Sequence, residues 1–157
     1  MNEELIEQYA RGGEKLSLAI RGLGRDDLRA VPIPGKWSTQ QVVIHLADAE
    51  AALADRIKRV IAMDEPALLA WDENKFAANL HYNDQSAQDA VASVDLTRRQ
   101  IVRILTALPA SAFQRAGVHN ERGRQTLLDI LNFAVWHLDH HLKFIYEKRE
   151  KLGKMSW

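Results

Sequence analysis

Residues 126–145 read TLLDILNFAVWHLDHHLKFI, and this stretch decides the architecture. Leu127, Leu131, Ala134, Leu138, His141 and Ile145 follow one another at alternating intervals of four and three, the packing period of a helix buried along one seam of a bundle. The helix starts at Thr126-Leu127-Leu128-Asp129. A helix of this length with one apolar seam needs partner helices to cover it.

Three further segments carry the same period, and none shows strand alternation. The first runs from about Asn2 to Gly22, with Leu5, Tyr9, Gly12, Leu16 and Ile20 as its stripe. Pro32-Ile33-Pro34-Gly35 then breaks the chain. The second opens at Ser38-Thr39-Gln40-Gln41, a capping box, and continues to about Met63 with Val42, His45, Leu46, Ala49, Leu53, Ile57 and Val60 facing inward. The third opens at Ser86-Ala87-Gln88-Asp89, again with a capping-box pattern, and closes at Pro109. Between the second and third, residues 64–85 are irregular, with a short helix around Leu68–Phe76. Residues 110–125 are a polar, glycine-containing connection. The expectation is an all-α, single-domain four-helix bundle over residues 1–157, with long connections after its second and third helices.

Composition narrows the function classes. The 157 residues suffice for one core burying about 70% of the unfolded surface. Lys+Arg (21) and Asp+Glu (21) cancel, which argues against nucleic acid or an anionic membrane as partner. No window approaches ~18 uninterrupted apolar residues, and the acidic start Met1-Asn2-Glu3-Glu4 is unlike a signal peptide, so cytoplasmic residence is the default expectation. The chain has no cysteine, so any metal must be held by nitrogen and oxygen, and any reactive thiol must arrive as a cosubstrate.

Within the deciding stretch, His137-Leu138-Asp139-His140-His141 puts two imidazoles one turn apart on one face. At ~100° per residue from Leu127, His141 falls near about −40° and His137 near about −80°, flanking the seam, while His140 turns out near about −140°. From Val42, His45 falls near about −60° on the second helix. His45, His137 and His141 are therefore the candidate metal ligands, with coordination positions left open as in catalytic rather than closed structural sites. His140 remains a solvent-facing or supporting residue.

Beyond spacing, Lys36-Trp37-Ser38 followed by Val42-Val43-Ile44-His45-Leu46-Ala47-Asp48-Ala49-Glu50 resembles the second-helix motif of the DinB/YfiT-like superfamily, and His137-Leu138-Asp139-His140-His141-Leu142 resembles its fourth-helix motif. Gly123-Arg124-Gln125-Thr126-Leu127, Trp71 and Tyr82 also stand where that family places similar residues. The resemblance covers nearly the whole chain in order. It implies a four-helix bundle, often a homodimer, holding a divalent metal (zinc or nickel) on three histidines, which map onto His45, His137 and His141. It further implies thiol-dependent transferase or isomerase chemistry with a low-molecular-weight thiol, alongside many members of no known activity.

Three functions follow as expectations. A three-histidine site can favour the thiolate of a cosubstrate, giving a metal-dependent thiol S-transferase acting on a small electrophile. It can equally activate water, giving a metal-dependent hydrolase. The third is a non-enzymatic metal-binding or stress-response dimer. Hydrolysis wants a general base, and the ligand helix offers no HExxH glutamate; Glu50 and Glu73 are the candidates. Arg98 falls where the third helix calls for an apolar side chain, so it either closes a core ion pair or anchors an anionic substrate. His81 is a possible fourth ligand in a loop that could cover the site with Tyr82. Trp37, Trp71 and Trp136 read as core or interface residues, with Trp71 available to line a pocket, and His119 and Arg122 as solvated loop residues.

Overall fold

The computed structural model describes residues 2–155. The first bundle helix is made of α1 (Asn2–Ala10) and α2 (Gly12–Ala19). The Arg11 and Lys15 amides still bond the Glu7 and Arg11 carbonyls at 3.1 and 3.0 Å, so the break at Arg11 is slight. The helix ends at Ala19, short of Gly22, and a one-turn helix α3 (Arg25–Arg29) follows.

The second bundle helix is α4 (Thr39–Ala62). Its capping box forms as the sequence implies: the Gln41 amide donates to Ser38 Oγ at 3.1 Å, and the Ser38 amide donates to Gln41 Oε1 at 2.9 Å. The chain then enters a two-residue strand β1 (Ala67–Leu68) and a short helix α5 (Glu73–Asn79). The expected helix around Leu68–Phe76 is thus displaced towards the C-terminus. Asp72 Oδ1 accepts from the Asn74 and Lys75 amides, both at 3.0 Å, and this cap sets where α5 begins.

The third bundle helix is α6 (Ala87–Thr106). Ser86 Oγ accepts from the Asp89 amide at 3.1 Å, so one half of its capping box forms. Residues 110–125, read from sequence as irregular, contain a turn of 3-10 helix (Ala110–Gln114) and the hairpin β2 (Ala116–His119) and β3 (Gly123–Thr126). With β1 these form a three-stranded sheet in the order β1-β2-β3. β1 pairs parallel to β2 and β3 antiparallel to it. Strands of two to four residues are too short to print an alternation on the sequence.

The last helix is α7 (Leu127–Lys151). Thr126 and Asp129 form a capping box, the Asp129 amide donating to Thr126 Oγ1 at 3.1 Å and the Thr126 amide to Asp129 Oδ2 at 2.8 Å.

Two apolar clusters fix the helix directions. One gathers Leu16, Val42, Leu46, Ala90, Val94, Leu142 and Ile145. The other gathers Tyr9, Leu53, Ile57, Ile101, Leu105, Leu127 and Leu131. The N-terminal halves of α4 and α6 therefore lie at the same end, and these two helices run parallel. The first helix and α7 run the opposite way. Parallel neighbours cannot be joined by a short turn, so residues 63–86 have to travel the length of the bundle. Among the described residues no helix is long and apolar enough to cross a membrane.

Candidate metal centre

The first two turns of α4 and the middle of α7 face each other, and their histidines meet. His45 is 1% exposed, and its Nε2 lies 3.2 Å from Nε2 of His137. The His141 ring centroid is 4.6 Å from those of both His45 and His137. One donor atom from each of the three lies within 4.8 Å of the others. The seam geometry explains the convergence: His137 and His141 are one turn apart on α7, and the capping box at Ser38 fixes the phase of α4 that brings His45 to them.

The donor set suits one divalent ion. Two nitrogens bound at ~2.0–2.1 Å in tetrahedral geometry sit about 3.4 Å apart, close to the His45–His137 separation. Nδ1 of His141 is buried with no hydrogen-bond partner among the described residues, an unsatisfied state that a buried polar atom rarely keeps; Nδ1 of His45, the ring nitrogen not turned to His137, is also buried without a partner among them. All three rings are held neutral, the form that ligates. Burial pushes His45 down to about 4. Burial, then the neighbouring His141 and His45, push His137 down to about 3. Burial, then His45, push His141 down to about 4.

Glu73 is the carboxylate at this centre. It stands at the first turn of α5, where the Asp72 cap places it, with Oε2 3.7 Å from His45 Nε2 and half its side chain exposed. Trp37 and Trp71 enclose His45 at ring-centroid distances of 5.2 and 5.6 Å, and Phe76 packs on Trp71 at 4.6 Å. Two cavities open on the cluster. One, of about 260 Å³, reaches His45 and His137; the other, of about 290 Å³, reaches His141 between Trp37, Phe144 and Lys148. Glu73 lines both.

Several expectations need correction. Glu50 is not at the centre: it is buried with Arg98, whose Nε and Nη2 lie 2.9 and 2.8 Å from Glu50 Oε2, and it accepts from the Tyr9 hydroxyl. Arg98 is not a substrate anchor. Its remaining donors are taken by the Tyr9 carbonyl at 2.9 Å and the Ala134 carbonyl at 3.3 Å, and it is 2% exposed. It is the core ion pair that a buried guanidinium requires. His81 lies outside the cluster, an exposed residue with φ 52° before the 3-10 turn at Tyr82. Tyr82 is buried and donates to Asp48 Oδ2 at 2.5 Å, so it braces α4. His140 stacks on the exposed Trp136 at 4.8 Å, on the outer face as expected.

His119 is not a solvated loop residue, whereas Arg122 is exposed in its loop as expected. His119 is buried, Arg122 lies over the Phe133 ring at 4.7 Å, and both line the cavity beside His45 together with Arg56. Their place depends on the hairpin and on its pairing with β1, which no local pattern announces.

Comparison with known proteins agrees with this geometry. The sequence model of the DinB superfamily matches residues 8–145. A protein of Bacillus mycoides (strain KBAB4) whose name proposes a metal-dependent hydrolase is 25% identical over 157 residues, 98% of this chain and 90% of its own length. A similarly named protein of Oceanobacillus iheyensis is 22% identical over 142 residues, 90% of this chain and 82% of its own. Among solved structures, YfiT from Bacillus subtilis, described as a probable metal-dependent hydrolase with an unusual four-helix bundle topology, superposes with a TM-score of 0.91 at 24% identity, covering 98% of this chain and 88% of that one.

Proposed function

The chain belongs to the DinB superfamily, and from that premise we propose that it is a metal-dependent transferase that joins a low-molecular-weight thiol to a small electrophile. His45, His137 and His141 would hold one divalent ion, zinc or nickel, both of which imidazole suits. The observation that carries this reading is the pair of cavities opening on one cluster with Glu73 on the wall of both. Transfer between two organic molecules needs two places beside one reactive centre, whereas hydrolysis needs one and room for water.

The bound ion supplies positive charge that favours thiolate over thiol. Glu73 accepts the thiol proton. The sulfur electron pair forms the new bond to the electrophilic carbon, the bond to the leaving group breaks with its electrons, and the proton on Glu73 is available to that group. Trp37, Trp71 and Phe76 exclude bulk water, which would compete as nucleophile.

A second reading, metal-dependent hydrolysis, draws on the same Glu73 carboxylate 3.7 Å from His45, since a general base is what the ligand helix alone did not provide. It also accords with the names of the relatives.

Protein loaded with zinc or nickel, given cysteine or glutathione and 1-chloro-2,4-dinitrobenzene, is expected to form the thioether above background. Glu73→Gln should lower that rate by roughly 10²–10⁴-fold while keeping the metal, the usual scale for a general base, and His137→Ala should lose both. No turnover with any of several thiols overturns the transferase reading. Thiol-independent cleavage of activated esters with the same dependence on Glu73 would establish the hydrolase instead.

A further inference from the structure

The cavity beside His45 and His137 is lined by two guanidinium groups, Arg56 and Arg122, that form no ion pair among the described residues, with the Glu73 and Glu121 carboxylates on the same walls. Arg56, on α4, is 8% exposed. Its Nη2 donates to the Leu69 carbonyl at 2.6 Å, and among the described residues it forms no ion pair within 4.0 Å. Asp55, next to it on the same helix, pairs with Arg59 at 2.6 Å instead. Arg122, in the turn between β2 and β3, lies flat on Phe133 at 4.7 Å and is likewise without an ion pair among the described residues. Arg122 is exposed, but Arg56 is buried, and a buried guanidinium normally finds an anion, because leaving its charge uncompensated is costly.

His119 adds a third donor. Its Nδ1 accepts from the amides of Glu121 and Arg122 at 3.1 and 3.2 Å. In the neutral ring the proton must then sit on Nε2, available as an N–H. Burial, then Arg56 and Arg122, hold that ring below the usual histidine range, so it stays neutral and its tautomer is fixed. The cavity therefore has two charged donors and one neutral donor, Trp71 and Phe133 as apolar walls, and the histidine cluster at one side.

We propose that this cavity is the substrate's anion subsite, in which Arg122 and Arg56 clamp a carboxylate and His119 Nε2–H donates to it. A single negative charge suits it better than a dianion, because Glu73 and Glu121 share the walls and would repel a second charge. The volume of about 260 Å³ fits a short carboxylic acid and excludes a nucleotide or a polymer. A carboxylate held here turns the rest of the molecule towards His45 and His137, so this deepens the transferase reading and rests on it for orientation, though the anion subsite itself does not require a metal.

The test uses metal-free full-length chain, in which no ion competes for the carboxylate. Butyrate is titrated while the Nε–H signals of the arginines and the Trp71 indole are followed by NMR. Saturable shifts at Arg56, Arg122 and Trp71 are expected, with butyramide weaker by at least about tenfold, the scale of a charge-assisted hydrogen bond. Arg122→Gln should weaken butyrate roughly tenfold or more and Arg122→Lys less, since lysine keeps the charge but loses the fork. Arg99→Gln, on α6 and paired with Asp95, should change nothing. Arg122 is used because it is exposed and forms no ion pair among the described residues; Arg56→Lys serves as the second variant. Butyramide binding as tightly as butyrate, or Arg122→Gln binding butyrate unchanged, overturns the proposal. In His45→Ala, butyrate binding kept while zinc binding is lost separates this subsite from the metal centre. A parent that takes butyrate but no zinc or nickel would sink the transferase reading and leave the subsite standing. One that takes metal but no butyrate would do the reverse.

Discussion

Burial keeps the imidazoles of His45, His137 and His141 in the neutral form that ligation needs, and it does so at a thermodynamic cost that pH can expose. All three are pushed down in the folded chain, to about 4, 3 and 4, from an unfolded value near ~6.5. Between those values the unfolded chain binds more protons than the folded one, so stability rises with pH. The metal-free protein is therefore expected to lose stability progressively as pH falls from about 6.5 towards about 4, and to be insensitive to these groups above about 7. Urea melts across that range check this, with the triple His→Gln variant as comparison. A parent and triple variant of equal pH slope would contradict the burial of these rings. These three residues were legible in the sequence because helical phase alone places them on facing flanks. Arg98 was half legible: its position demanded a partner, but its choice of Glu50 over a ligand depends on the phase of α4 relative to α6. Arg56, His119 and Arg122 were not legible, since their neighbours are brought in from distant segments of the chain.

Among the elements, the contact of the first bundle helix with α6 is the most exacting. A Cβ at Gly12 would stand 1.9 Å from Arg98 Nη1, and one at Gly13 would stand 2.7 Å from Asp95 Oδ1. Arg98 cannot retreat, because Glu50, the Tyr9 carbonyl and the Ala134 carbonyl hold its donors. Gly12→Ala improves helix propensity by about 1 kcal/mol, yet it should destabilise, since overpacking costs about 1–3 kcal/mol and disturbing a buried ion pair about 3–5 kcal/mol. The low end of those costs after the propensity gain, about 3 kcal/mol, lowers Tm by roughly 6–12 °C at about 2–4 °C per kcal/mol for a chain of this size, so a fall of at least that scale is expected. Ser17→Ala on the exposed face of α2 should stay within about 0.5 kcal/mol of the parent. A Gly12→Ala protein as stable as the parent would contradict this packing. The four helices and the caps at Ser38 and Ser86 could be read from the sequence, because period and capping are local. The three-stranded sheet could not, because the residues that β1 and β2 pair, Ala67 with Val118 and Leu68 with His119, are 51 positions apart.

For the whole molecule, the topology divides the labour. The bundle helices α4 and α7 supply the three histidines, while the two long connections supply the surroundings: Trp71 and Glu73 from the first, His119 and Arg122 from the second. Parallel α4 and α6 force the first connection to be long, and the sheet ties both connections together, the Asn120 side chain accepting from the Ala70 amide at 2.9 Å. Length of connection was evident from sequence, and what those connections build was not. The transferase and hydrolase readings both depend on the cluster binding one metal ion. The most direct test is metal analysis of protein purified without an affinity tag or added metal, beside His45→Ala and His137→Ala. This account predicts about one equivalent of a divalent ion in the parent, as expected of a single three-histidine site, and little in either variant. A metal-free parent that also fails to bind added zinc or nickel would contradict it and reduce the three histidines to packing residues of the bundle.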